Sequence, residues 1–383
     1  MDHKLIQTLF ALLRSSLQEK PMSSQEKALY DPEKLPALYK VSQNHDIAQI
    51  VAQGLERNGL PGELGKFEAQ RFSAVFRYEQ LNYVETELFA ALESAGIPFL
   101  PLKGSVIRAL YPQPWLRTSC DVDVLVPERE LESAVEYLVT HCGYTRKAKG
   151  SHDVNLLSPE RQHVELHYTL VEDEHMGGHV LADVWNRVAW KEGFQYWHVM
   201  PDALFYYYHI AHMAKHFELG GCGIRPLIDL WLLDKQPHDE KLRDELLAQG
   251  GLLPFATAVR KLSRVWLACE EADELSQQMQ NYILQGGVYG TTENLVKIHQ
   301  VKAGGKGSYA LSRIFLSHDA LKYQYPVLEK HKWLMPVCQV RRWCRLVFGG
   351  RLGHAARELA YNRDTGLEQM DETRRLLCRL GLM

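Results

Sequence analysis

Apolar residues in the first part of the chain recur at helical spacing. Leu5, Leu9, Leu12, Leu13 and Leu17 form one stripe and predict a helix over 5–17. A second helix is predicted over 47–55, stopped by the breaker "NGLPG" at 58–62. A longer one, over 67–94, carries Leu81, Val84, Leu88 and Leu92 on one face. A Pro-punctuated stretch, 21–36, lies between the first two. The texture changes after residue 95. "IPFLPLKG" (97–104) is a short apolar run ending in Lys-Gly, followed by a short helix at 105–111. "DVDVLVP" (121–127) alternates acid and valine with the period of a strand and leads into a helix at 128–143. Two further strands, 152–158 and 163–170, flank "PERQ" and read as a hairpin. Past residue 200 the helical pattern returns, at 202–219, 225–235 and onward, with "VKAGGKGS" (301–308) expected as a flexible surface loop. The pattern divides the chain into a helical region 1–95, a strand-and-helix region 96–200 and a helical region 201–383.

Composition narrows the class without naming a function. The chain has 383 residues, 46% hydrophobic and 24% charged, as a globular protein of more than one structural unit does. A net charge of −3 gives no overall pull toward nucleic acid or an anionic membrane, so any basic surface is local. Seven scattered cysteines without a CxxC pair argue against a disulfide framework and a thiolate zinc site, and for a reducing compartment. The first twenty residues are broken by Gln7 and Arg14 and read as an amphipathic helix rather than a signal peptide. No segment approaches the ~20 apolar residues of a membrane span. A cytoplasmic location is expected.

The chemistry concentrates in the strand-and-helix region. Residues two apart on a strand share a face, so Asp121 and Asp123 point one way while Val122 and Val124 point the other. Two such carboxylates raise each other's pKa unless a divalent cation, the largest local charge, favours both ionised forms. The plain alternative is an edge strand carrying charge against aggregation. Three neighbours bear on the choice. Gly104 and Ser105 open a helix, where free amides and the dipole favour a phosphate; the same pair also makes an ordinary N-cap. Glu165 shares a strand face with His163 and His167, and becomes a third acid if its strand lies beside 121–126; otherwise it faces solvent. Arg117 can bridge a carboxylate or clamp a phosphate, or sit at the surface.

A Gly-Ser helix start, a DxD strand about 16 residues later and a third acid on a subsequent strand form the pattern of the polymerase-beta-type nucleotidyltransferases. In "PLKG…R…YP…R…DVDVLV…GY…VELH", "HxxHxxKH" (209–216) and "RPLIDL" (225–230), the chain resembles the uncharacterised bacterial nucleotidyltransferase family over about residues 80–235. The resemblance implies an α+β fold: a small mixed-sheet catalytic domain flanked by helical N-terminal and C-terminal regions. It implies Asp121, Asp123 and Glu165 as the catalytic acids and metal ligands, and Lys103, Gly104 and Ser105 as a phosphate-cradling turn. Arg117, Lys215, His216 and Arg225 complete the nucleotide-binding set, with Asp229 orienting Arg225 through an i,i+4 pair. The sequence departs from the commonest pattern in Lys103 before the glycine and in a glutamate as third acid.

The implied reaction is transfer of NMP from an NTP to a hydroxyl-bearing acceptor with release of pyrophosphate. The cofactor is Mg²⁺ or Mn²⁺, as two ions ~3.5–4 Å apart. The acceptor is a small molecule, peptide or protein; nucleic acid is less favoured. A nucleotide-sensing module that keeps the fold, and one half of a toxin–antitoxin pair, are the rival readings. Two features stand apart. His209, His212 and His216 share a helix face, as packed polar groups or, with a fourth ligand, a zinc site. Segment 331–357 combines Trp333 and Trp343 with Arg341, Arg342, Arg345 and Arg351, either as an RNA, carrier or membrane surface or as a helix packing its aromatics.

Overall fold

The structure is a computed structural model that describes residues 2–170, 177–288, 290–348, 361–362 and 366–383. Helix α1 (His3–Leu17) begins where the Asp2 side chain accepts from the Lys4 amide, and its five leucines are buried. The Pro-punctuated stretch holds a short helix, α2 (Ser24–Lys27), closed by a Ser23–Glu26 capping box. Then α3 (Leu35–Asn44) and α4 (Ala48–Arg57) follow, and α4 packs on α1 and on α5 (Gly65–Ser94).

Beyond α5 come β1 (Leu100–Pro101), the single-turn α6 (Gly104–Ile107), β2 (Asp121–Leu125), α7 (Leu131–Cys142), β3 (Thr145–Lys149), β4 (Asp153–Leu157) and β5 (His163–His167). The five strands form one mixed sheet in the order β1-β2-β5-β4-β3. Only β2 and β5 run parallel, pairing Asp123 with Glu165. The β4–β5 hairpin forms as the sequence predicts. Strand β3 has no sequence signal: its five residues, "TRKAK", are all exposed, so no apolar alternation marks it. Backbone pairing with β4 makes it a strand, and its basic side chains blunt a free edge.

The core settles the register. Val122, Val124, Val154, Leu156, Val164 and Leu166 cover one sheet face. They pack against the Leu81, Val84, Leu88 and Leu92 stripe of α5 and against Leu131, Val135 and Leu138 of α7. Each buried side chain of this kind contributes about 1.5–3 kcal/mol. A one-residue slip of β2 would drive both aspartates into that core. The valines therefore aim the acids.

A two-stranded sheet, β6 (Ala189–Trp190) with β7 (His198–Val199), precedes α8 (Asp202–Glu218), α9 (Arg225–Leu233), α10 (Glu240–Gln249), α11 (Leu253–Leu267) and α12 (Glu274–Leu284). The chain forms two compact units. One comprises Met1–Lys215 and Cys222–Val288; the other, His216–Gly221 and Tyr289–Met383. In the second unit the expected loop at 301–308 is mostly helical. Helix α13 (Thr292–Ala303) ends at Gly304, which takes the left-handed conformation (φ 77°) that caps a helix, and α14 (Lys306–Ile314) starts two residues later. Two glycines suffice to turn the chain. In α17 (Met335–Phe348), which follows the short helices α15 (His318–Gln324) and α16 (Val327–Lys330), the Trp343 indole donates to the Ile314 carbonyl at 2.9 Å and packs edge-on against Phe315. Arg342 donates to the carbonyls of Arg313 and Ile314. Trp333 is exposed; Arg351, with the rest of 349–357, lies outside the described residues. No helix among the described residues is long and apolar enough to cross a membrane.

Candidate active site

The sheet face opposite the valines is polar. Register places Asp121 beside His163, Asp123 beside Glu165, and Asn155 and Asp153 of β4 beside Glu165 and His167. At its centre the Asp123 carboxylate is buried. One oxygen, Oδ1, accepts from Lys103 Nζ at 2.8 Å and lies 2.9 Å from His167 Nε2. His167 Nε2 is also 3.5 Å from Glu165 Oε2. An ionised carboxylate only accepts, so His167 donates through Nε2. Ligand atoms of Asp123, Glu165 and His167 all lie within 4.8 Å of one another, the one such group among the described residues.

The two aspartates have opposite electrostatic fates. Burial alone would raise the Asp123 pKa, but the Lys103 ammonium and His167 outweigh it and hold the carboxyl far below its usual range. Burial and the neighbouring Asp123 charge push Asp121 up to about 6, with Lys103 and Arg225 acting against the rise. The Asp121 carboxylate makes no hydrogen bond among the described residues. For His167, burial favours the neutral ring, but its bonds to Asp123 and Glu165 prevail and its pKa is raised.

Lys103 reaches Asp123 from a strained backbone. Its φ is 43° and ψ −112°, a region that costs a non-glycine residue ~1–3 kcal/mol. The glycine after it has a different duty. A Cβ on Gly104 would stand 2.9 Å from Arg117 Nη1 and 3.3 Å from Arg108 Nη2. Both guanidiniums are pinned. Arg108 donates to Glu85 and Ser119; Arg117 is held bidentate by Asp229, Nε to Oδ1 at 2.9 Å and Nη2 to Oδ2 at 2.8 Å. Gly104→Ala is therefore expected to destabilise the protein by about 1–3 kcal/mol, read from urea denaturation against wild type. Ser105 is likewise engaged within the protein: its amide donates to the Leu102 carbonyl at 3.1 Å and its hydroxyl to Glu85 at 2.8 Å.

Chain segment 31–268 matches the profile of the uncharacterised nucleotidyltransferase family. The chain belongs to that family. No match was found among curated proteins or among solved structures.

The family member carries its remaining candidate residues as follows. Arg225 does not pair with Asp229, as its i,i+4 spacing led us to expect. Asp229 is taken by Arg117 and by the Tyr111 hydroxyl at 2.7 Å, and Arg225 instead donates to Asp46 at 2.7 Å and to the Thr118 carbonyl at 2.8 Å. Helix start explains the difference, because Arg225 is the first residue of α9 and its side chain swings back over the loop before β2. Gln49, donating to the Leu116 carbonyl at 2.7 Å, fastens the same loop. Lys215 lines a cleft with Lys103, His152, His167 and Tyr208. His216 belongs to the second unit. His209 is buried and its Nε2 donates to the Pro226 carbonyl at 3.0 Å, which makes it a packed polar group. Sequence reading missed Asp46, Glu85 and the Arg117–Asp229 pair, whose partners lie far apart in the chain. For His167 a signal existed: it stands two residues after Glu165, on the same strand face.

Proposed function

We propose that this chain is a divalent-metal-dependent nucleotidyltransferase, moving NMP from an NTP to a hydroxyl-bearing acceptor and releasing pyrophosphate. The observation that supports it most is the parallel β2–β5 register, which aligns Asp123 with Glu165 in a chain of the nucleotidyltransferase family. The donor set fits the cation such chemistry uses. Carboxylates suit Mg²⁺ and Mn²⁺, and three stand on one sheet face, the Asp121 carboxylate without a hydrogen bond among the described residues and Glu165 with His167 at 3.5 Å. Asp121, Asp123 and Glu165 would hold one or two such ions, which neutralise phosphate charge and acidify the acceptor hydroxyl when bound.

The chain's own groups do the rest of the work in this reading. Lys103 and Arg225 bring positive charge to the acids' side of the sheet, within Coulombic reach of Asp121. Lys103 and Lys215 share a cleft suited to anionic phosphate oxygens. Gly104 and Ser105, with Arg117 behind them, fix the turn that carries Lys103. Because these groups are held before substrate arrives, little reorganisation is left for the reaction itself.

The test is incubation with each α-labelled NTP, Mg²⁺ or Mn²⁺ and a cell extract, followed by identification of the labelled product. The expected outcome is a labelled acceptor that the Asp121→Asn/Asp123→Asn double variant does not produce. Equal labelling by wild type and that variant would reject transfer at this site.

A further inference from the structure

We propose that His167 is itself a ligand of the divalent cation, supplying a nitrogen donor that biases the site toward Mn²⁺ over Mg²⁺. This rests on the reading of the site as metal-dependent and adds to it a residue and an ion preference.

Three observations carry it. First, distance: Nε2 of His167 lies 2.9 Å from Asp123 Oδ1 and 3.5 Å from Glu165 Oε2. Adjacent ligands around an octahedral ion with bonds of ~2.1 Å stand about 3 Å apart, so His167 stands close to that spacing from both carboxylates, and ligand atoms of all three groups lie within 4.8 Å of one another. Second, orientation: the ring is buried and stacks on His152 with centroids 5.6 Å apart and planes 26° apart, which fixes the direction of Nε2. Third, capacity: Asp123 Oδ1 takes both Lys103 and His167, while Oδ2 of Asp123 accepts no hydrogen bond among the described residues. An oxygen of each carboxylate therefore remains to face an ion beside the imidazole, whose Nε2 gives up to solvent, as the ion binds, the proton it shares with Asp123 Oδ1.

The ion preference follows from donor chemistry. Mg²⁺ takes oxygen ligands and gives up its waters reluctantly, whereas first-row transition ions accept imidazole readily. An all-carboxylate site would not discriminate in this way. Replacing one oxygen by His167 nitrogen tilts the set toward Mn²⁺.

The experiment uses the full chain with the metal alone and no nucleotide. Mn²⁺ binding is followed by electron paramagnetic resonance, Mg²⁺ by competition, in wild type, His167→Gln and His163→Gln; His163 is exposed on the same face and outside the three-residue group. Expected are about tenfold tighter binding of Mn²⁺ than Mg²⁺ in wild type, nitrogen hyperfine coupling from a bound imidazole, and loss of both in His167→Gln. His163→Gln should keep both. The proposal is overturned by Mn²⁺ binding without nitrogen coupling, by equal affinity for the two ions, or by no binding of either. If His167→Gln does not fold, isotopically labelled histidine in wild type and in His163→Gln still decides whether a histidine other than 163 is coordinated. Nucleotide transfer is assayed separately. Coupling without transfer rejects the enzymatic reading and keeps the ligand, and transfer without coupling does the reverse.

Discussion

Asp121→Asn and Asp123→Asn are each expected to lower nucleotidyl transfer by at least ~10²–10³-fold, yet to move stability in opposite directions. The two acids are two residues apart on β2 and share a face, but only the Asp123 carboxylate has partners. Its carboxylate holds Lys103 and His167 inside the protein. Neutralising it leaves a largely enclosed ammonium without its counter-charge, at a cost of about 3 kcal/mol. Asp121 has burial and a like charge against it and no bond in its favour. Its pKa, up from 3.8 to about 6, means that ionisation costs the folded state about 3 kcal/mol in metal-free buffer.

The pH windows separate the two. A raised folded pKa leaves stability intact below the unfolded value near 4 and removes it as pH climbs through about 6, so the Asp121 penalty is complete at neutral pH. Asp123 has a depressed pKa, so its contribution is present above pH ~4 and is lost as pH falls toward its folded value. Thermal melts in chelator from pH 4 to pH 8 should show Asp121→Asn pulling ahead of wild type across the upper half of the range. Asp123→Asn should lie below wild type there. Parallel curves for the two variants would show that their environments do not differ as described. Added divalent cation should erase the advantage of Asp121→Asn, because the ion favours the charged pair.

The second large effect is far from the acids in sequence. Asp229→Ala should cost about 3–5 kcal/mol, since it strands the buried Arg117 guanidinium and the Tyr111 hydroxyl together. Asp229 is 1% exposed and Arg117 8%, so water cannot take the lost partner's place. Burial would raise the Asp229 pKa, but Arg117 prevails and lowers it, so this stability too is present above pH ~4 and fades in acid. Activity should fall with it, because Arg117 Nη1 backs the Gly104 turn that carries Lys103. Urea denaturation measures the first effect and KM for NTP the second. Asp229→Asn, which keeps an acceptor for Tyr111, should lose less. A wild-type midpoint in Asp229→Ala would show that the pair adds nothing.

Local pattern carried much of this site. Alternation in "DVDVL" fixed which side of β2 bears the acids, and "HVELH" placed Glu165 and His167 on a common face. The β4–β5 hairpin and the α5 stripe were equally open to reading, because each depends on a period within one element. Strand β3 was not, since a fully exposed edge strand owes its form to a neighbour's backbone rather than to its own side chains. The loop expected at 301–308 failed for a related reason: glycine and lysine are loop-like in composition, but two glycines end one helix and free the next to start.

Sequence alone thus determined the two-faced sheet, the acids on its polar side and the family pattern that includes them, since period and spacing are properties of the chain. Tertiary structure decided the partners. It set Asp123 rather than Asp121 between Lys103 and His167, gave Asp229 to Arg117 instead of Arg225, and turned Gly104 into the space an arginine needs. Charge pairing depends on which groups meet in low dielectric, and residues 117 and 229 meet only when the chain is folded.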